Sequence, residues 1–325
     1  MKAVKNINDN NSSSGNGGII AENLVKFYGT KKARVQALTG ISFEVSKGEL
    51  FGIIGPDGAG KTSLFRILTT LLLPDGGRAS VDGLDVVKDF KAIRKTAGYM
   101  PGRFSLYQDL TVLENLNFFA TIFNTSIEEN YDLIKDIYSQ IEPFKDRRAG
   151  KLSGGMKQKL ALSCALIHRP SVLFLDEPTT GVDAVSRKEF WEMLKKLKEK
   201  GITILVSTPY MDEAGMCDRV MLMQEGKILS VNTPHGIIDG FKKPLLAVRA
   251  DNMLHLLNTI KQFEDVEDCY SFGEYHHAVM KDDFKKEKLK NYLNQQIPGQ
   301  YELKPVLPDI EDCFMALMPP STTGK

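Results

Sequence analysis

The chain predicts an α/β fold in which a parallel sheet is buried between helices, and three observations carry that prediction. Residues 50–54, 172–175 and 202–206 are short apolar runs of strand length without polar alternation, the pattern of strands covered on both faces. Longer charged stretches with helical spacing, such as residues 187–200, lie between them. The order strand, helix, strand, helix is the one that parallel pairing needs, because parallel neighbours require a long crossover.

The elements follow in turn. Residues 8–18 are rich in Asn, Ser and Gly and lack an apolar signal core, so residues 1–18 are expected to be a disordered tail. Residues 19–27 and 41–45 read as strands. Gly48-Glu49 leads into the first buried run, and residues 62–73 have the length and leucine content of a helix stopped by Pro74. Residues 112–141 keep helical spacing with many acids, which predicts a mostly helical insert at about 103–150. The pattern breaks near 240–244. Beyond it, residues 245–249, 253–263, 277–280 and 285–295 suggest a small α+β domain over 245–318, with a flexible tail at 319–325. A main domain over 19–240 precedes it.

Composition narrows the function. With 325 residues the chain can hold a large core and two domains. Hydrophobic residues at 42% and charged residues at 26% match an ordinary globular protein. Lys+Arg 42 against Asp+Glu 41 leaves a net charge of +1, so no global field draws the chain to nucleic acid. The densest apolar run, residues 64–73, is short and contains Arg66, well below the length of a membrane span. Cys164, Cys217, Cys269 and Cys313 are far apart and form no CxxC, which points to reduced thiols and no metal.

Gly55-Pro56-Asp57-Gly58-Ala59-Gly60-Lys61-Thr62 satisfies the phosphate-binding pattern GxxxxGK[ST], entered from a buried strand and left through a helix. An ordinary glycine turn before a helix is the bland alternative, and it requires neither the lysine nor the threonine. In the functional reading, backbone N–H groups and the helix N-terminus wrap a phosphate. Lys61 then supplies a point charge to the β and γ oxygens, and the Thr62 hydroxyl meets Mg²⁺. The run 172–175 ends in Asp176 and Glu177: the first acid suits the metal's outer shell, and the second can polarise a water in line with the γ-phosphate.

Leu152-Ser153-Gly154-Gly155-Met156-Lys157-Gln158 stands shortly before that strand. Alone it reads as a serine cap on a helix over 157–166. With the two other motifs it resembles the signature sequence of the ABC ATPases, over about residues 19–235. The resemblance implies a P-loop NTPase cassette with a RecA-like core, an antiparallel β subdomain and a helical subdomain. It implies ATP and Mg²⁺ as ligands, with Tyr28 stacking on adenine, Ser63 beside the phosphate loop, and Asp183 of Thr180-Gly181-Val182-Asp183 in the D-loop. Two such cassettes meet head to tail, so that Ser153, Gly154 and Gly155 of one chain face the γ-phosphate on the other. Residues 103–112 and Tyr210-Met211-Asp212-Glu213-Ala214 resemble the ABC-2-type and multidrug-export branch, as does the ending Pro308-Asp309-Ile310-Glu311-Asp312-Cys313-Phe314. A multi-span permease partner, a second cassette, and a cytoplasmic place on the inner face of the cell membrane follow from that resemblance.

Two positions depart from the family. Gly102 stands where a glutamine normally touches Mg²⁺ and the attacking water, and Pro209 where a histidine normally bonds the γ-phosphate. Neither has a polar side chain, and proline also lacks the backbone N–H. Gln108 is six residues away from the first position, and none of the five histidines falls in register with the second. One reading keeps activity through Glu177. The sharper one has this chain's own site bind ATP and hydrolyse it slowly. Rival classes are an ABC ATPase with no permease and a subunit that binds nucleotide only for regulation.

Overall fold

The computed structural model describes residues 17–30, 33–297 and 299–318. Of the tail expected at 1–18, residues 1–16 lie outside the described residues, while Gly17 and Gly18 are not tail but open the first strand, paired to its neighbours. The tail expected at 319–325 also lies outside. The chain divides into two compact units. One runs to Pro209 and takes in Glu225–Lys227, and the other holds Tyr210–Gln224 and the chain from Ile228 on.

In chain order the first unit contains β1 (Gly17–Thr30), β2 (Ala33–Ser46), β3 (Leu50–Ile54), α1 (Lys61–Leu68), β4 (Gly76–Val81), β5 (Leu84–Asp85) and α2 (Phe90–Thr96). It continues with β6 (Ala97–Met100), α3 (Val112–Ile122), α4 (Tyr131–Tyr138), α5 (Gly154–Leu166), β7 (Val172–Asp176), α6 (Ala184–Glu199) and β8 (Thr203–Thr208). The parallel strands lie in the order β3-β8-β7-β6. Every residue of β3, β7 and β8 is buried, which is why their sequences show no alternation. The antiparallel sheet has the order β2-β1-β4-β5. There alternation returns: Ile41, Phe43 and Val45 are buried, while Ser42 and Glu44 are exposed.

Two local devices shape this unit around its loops. The first helix ends at Leu68, not at 73 as the leucines suggest. Thr70 takes a left-handed conformation (φ 63°), and the N–H groups of Leu71 and Leu72 both donate to the Arg66 carbonyl, at 2.7 and 2.9 Å. That closes a helix as a glycine cap would, with a residue that carries no such signal in sequence. The helical insert has α3 and α4 inside the expected stretch. A capping box between Thr111 and Glu114 starts α3. Behind it, buried Asn115 donates to the carbonyls of Tyr107 (3.0 Å) and Thr111 (2.9 Å) and accepts from the Tyr107 N–H (3.0 Å), fixing the preceding loop.

The second unit contains β9 (Arg219–Gln224), β10 (Lys227–Asn232, whose first residue belongs to the first unit), α7 (Pro234–Gly240), β11 (Leu245–Ala250) and α8 (Met253–Lys261). After them come β12 (Val266–Phe272), β13 (Tyr275–Met280), α9 (Lys286–Gln296), β14 (Tyr301–Pro305) and α10 (Ile310–Leu317). An antiparallel sheet β12-β13-β11-β14 packs Val248, Cys269, Ala278 and Met280 against Leu256, Ile260, Leu289 and Leu293 of α8 and α9. The unit begins as early as Tyr210 because α7 and α10 pack on the turn Met211–Met216. α10 is anchored through a carboxylate. Buried Asp312 accepts from the Tyr270 hydroxyl (2.8 Å) and from His277 Nδ1 (2.6 Å), and the Phe272 ring stacks on His277 at 4.1 Å. Asp312→Ala leaves two buried polar groups without their partner. It should destabilise this unit by about 3–5 kcal/mol, read as a lower midpoint in urea unfolding followed by tyrosine fluorescence.

Candidate active site

The phosphate loop hangs between β3 and α1. Gly58 (φ 80°) and Gly60 (φ 103°) adopt left-handed backbone, and Gly60 is the residue from which α1 starts. Side chains with a Cβ are strained there, so the glycines are what lets the loop curl. The Gly55 N–H reaches the Thr208 carbonyl (3.4 Å), tying the loop's start to the end of β8. Lys61, 4% exposed, donates to the carbonyls of Gly55 (2.7 Å) and Pro56 (3.1 Å) and pairs with Glu177 Oε1 (3.1 Å). Ala37, Asp57 through Ser63, and Glu177 line one cavity of about 260 Å³.

The acids arrive on β7. Asp176 is 3% exposed, lies 3.5 Å from Thr62 Oγ1, and accepts a hydrogen bond from the Ser207 hydroxyl (2.7 Å). Burial raises its pKa, and the hydrogen bonds from Ser207 and Thr62 oppose the shift. A buried carboxylate beside a hydroxyl at a helix start suits a hard cation, which would relieve that desolvation. Glu177 has φ 51°, a conformation of order 1–3 kcal/mol unfavourable for a residue with a side chain. Its N–H donates to Ser207 Oγ (3.0 Å) and to the Ser207 carbonyl (3.1 Å). Sequence reasoning missed Ser207. The signal was present: the run 202–206 ends in Ser-Thr where its neighbour 172–175 ends in Asp-Glu, and the parallel register sets Asp176 opposite Ser207.

The remaining candidates fall into two groups. Tyr28 on β1, 39% exposed, places its hydroxyl 3.1 Å from Ser63 Oγ, at the rim of the phosphate loop. Ser153 caps α5 by accepting from the Met156 N–H (3.3 Å), and Gly154 is exposed at the helix start. Asp183 caps α6 through the Ser186 N–H (3.0 Å), which holds its carboxyl below the usual range. Neither Ser153 to Gly155 nor Asp183 lines the cavity of Lys61 and Glu177. Gly155 has a further duty. A Cβ there would meet Ser186 Oγ at 2.7 Å and Cβ at 3.0 Å, so its bareness lets the starts of α5 and α6 approach.

The ABC transporter family pattern matches residues 38–180. Nod factor export ATP-binding protein I of Burkholderia lata is 39% identical over 220 residues, covering 67% of this chain and 71% of that protein. The chain belongs to the ABC transporter family. The probable multidrug ABC transporter ATP-binding protein YbhF of Escherichia coli is 36% identical over 304 residues, 92% of this chain and 52% of YbhF, so the chain spans about half the length of that relative. The daunorubicin resistance ATP-binding protein DrrA2 of Streptomyces coeruleorubidus is 38% identical over 229 residues, 67% of each chain. Among solved structures, the ATP-binding cassette MJ0796, in a dimeric post-hydrolysis state with ADP and Pi, superposes with a TM-score of 0.60 at 26% identity. It covers 66% of this chain and 98% of its own.

In this ABC chain Gly102 sits at the acids. A Cβ built on Gly102 would meet the Asp176 carbonyl at 2.9 Å and lie 3.7 Å from Glu177 Cβ, so the backbone itself fills the space a side chain would leave through. Pro209 follows Thr208, whose carbonyl holds Gly55. Gln108 is exposed, and its carbonyl accepts from the Gly150 N–H (2.9 Å). The close approach at Gly155 gives a direct check. Gly155→Ala should cost about 1–3 kcal/mol through overpacking, and Ser186→Gly in the same chain should return most of it, as measured by thermal unfolding.

Proposed function

We propose that the chain is an ATP-binding motor subunit that couples ATP binding and hydrolysis, with Mg²⁺, to transport by a separate multi-span permease at the inner face of the cell membrane. The observation that carries this reading is the meeting of Lys61, Thr62, Asp176 and Glu177 around one loop. The names of the relatives, with Nod factor export and drug resistance among them, favour export. Among the described residues no helix is long and apolar enough to cross a membrane, so the reading assigns the membrane path to a partner.

The chain's own groups divide the work as follows. Lys61 is held against Glu177 in this structure, and phosphate oxygens offer it a competing partner that frees the carboxylate. Glu177, released, is the base that orients water. Thr62 and Asp176 would hold the cation, whose charge would offset that developing on the phosphate oxygens. Lys61→Ala should weaken ATP affinity at least about tenfold, the weight of one charge-assisted hydrogen bond. Undiminished affinity by calorimetry would remove this loop from the assignment.

Gly102 and Pro209 favour the slow-site version. Losing one preorganised donor to the developing charge typically costs about 10²–10³ in rate, and neither position has a side-chain donor. Ser153 to Gly155 remain available to complete a site on a second cassette. The working complex then pairs this chain with a cassette that carries the usual Gln and His. Gly154 is exposed, and a Cβ there makes only ordinary contact (3.5 Å to the Gly181 carbonyl), so Gly154→Asp changes charge without disturbing the fold. In the paired complex Gly154→Asp should cut ATP turnover about 10²-fold or more, while Glu177→Gln should leave most of it. Brisk hydrolysis by this chain alone that disappears with Glu177→Gln would replace the pair with a homodimer.

A further inference from the structure

We propose that Ser207 is the positioning residue of this site, the group that sets the Asp176 carboxylate for a cation. The inference rests on the nucleotide-binding reading above. Ser207 is the penultimate residue of β8, is fully buried, and lies in register with Asp176 on β7, so a parallel pairing carries its hydroxyl to the first acid. That hydroxyl has one proton and two acceptor sites. It donates to Asp176 Oδ1 at 2.7 Å and accepts from the Glu177 N–H at 3.0 Å. The two bonds restrain different things. The first fixes rotation of the Asp176 carboxylate, which otherwise faces Thr62 Oγ1 only at 3.5 Å. The second helps hold Glu177 in its left-handed conformation, and there the Ser207 carbonyl, 3.1 Å from the same N–H, provides a duplicate acceptor that survives loss of the side chain.

This duplication makes the role separable from the fold. In Ser207→Ala the Glu177 backbone keeps an acceptor, and only the Asp176 orientation is lost. Gly102, where a Cβ would lie 3.7 Å from Glu177 Cβ, brings no side chain to these acids, and Ser207 makes the shorter of the two hydroxyl contacts to Asp176, 2.7 Å against 3.5 Å for Thr62.

The test is calorimetric binding of ATP to the full chain, with and without Mg²⁺, in wild type and in Ser207→Ala, Ser207→Val and Ser207→Thr. Wild type tests the underlying reading: no ATP binding in either condition overturns that reading and this one with it. The variants test Ser207 alone. Mg²⁺-free affinity should be unchanged in all three. The extra affinity conferred by Mg²⁺ should fall about tenfold in Ala and Val, the weight of one hydrogen bond to a charged group, and persist in Thr, which matches Val in shape and restores the hydroxyl. A Mg²⁺ gain unaltered in Ala, or equal in Thr and Val, overturns the proposal. Equal loss of affinity with and without Mg²⁺ in Ala overturns it too, because that marks a purely structural serine. If the larger residues fail to fold by circular dichroism, Ala decides by the same two criteria.

Discussion

The parallel pairing of β8 with both β3 and β7 is the constraint on which the site depends. Its register sets Ile54 opposite Thr208 on one side and Asp176 opposite Ser207 on the other. One strand end therefore touches the start of the phosphate loop and the end of the acidic strand together. A slip of one residue would turn Asp176 toward the opposite face of the sheet. A slip would also force Phe51, Ile53, Phe174 and Leu205, all wholly buried, to repack together, and would break the bond from the Gly55 N–H to the Thr208 carbonyl.

Burial also explains the electrostatic character of the site. Taking Asp176 out of water raises its pKa, and the two hydroxyls that meet it act against that shift. The same desolvation, helped by the Asp176 charge, pushes the Tyr99 phenol on β6 up to about 12, so the neighbouring ring stays neutral. Lys61 is likewise buried, and its company of two carbonyls and Glu177 satisfies its three protons. A cation and an anion that neutralise each other before substrate arrives can be parted by a ligand bearing the same charges, which is what a metal-bound phosphate is.

What the sequence made legible was whatever periodicity and motif encode. The apolar runs ending at Ile54, Asp176 and near Val206 gave the sheet, and Gly55 to Thr62 gave the loop with its lysine. The serine cap at Ser153 was readable because helix starts need acceptors. Legibility failed where the cause is tertiary. Thr70 closes α1 in a conformation its type disfavours. Gly155 is bare for the sake of Ser186, thirty-one residues later in the chain by subtraction of the two numbers. The short strands β4 and β5 follow from pairing with β1 and with each other, not from any pattern of their own. Asp312 lies in a segment noted in sequence only for its family resemblance, and only the fold supplies Tyr270 and His277 as its partners.

Pro209 joins these threads. It is the last residue of the first unit before the chain enters the second at Tyr210. Proline fixes its own φ near −65° and offers no N–H, so position 209, ahead of the turn Met211–Met216, contributes no donor of its own. That turn is packed by α7 and α10, and α10 is in turn held to its sheet by the buried carboxylate of Asp312. Position 209 thus adds no polar side chain directly after the strand end that carries Ser207 and Thr208. On one side the Thr208 carbonyl holds Gly55; on the other, the helices of the second unit hold Met211–Met216. The hydroxyl that β8 brings to both acids is that of Ser207, which donates to Asp176 Oδ1 and accepts from the Glu177 N–H.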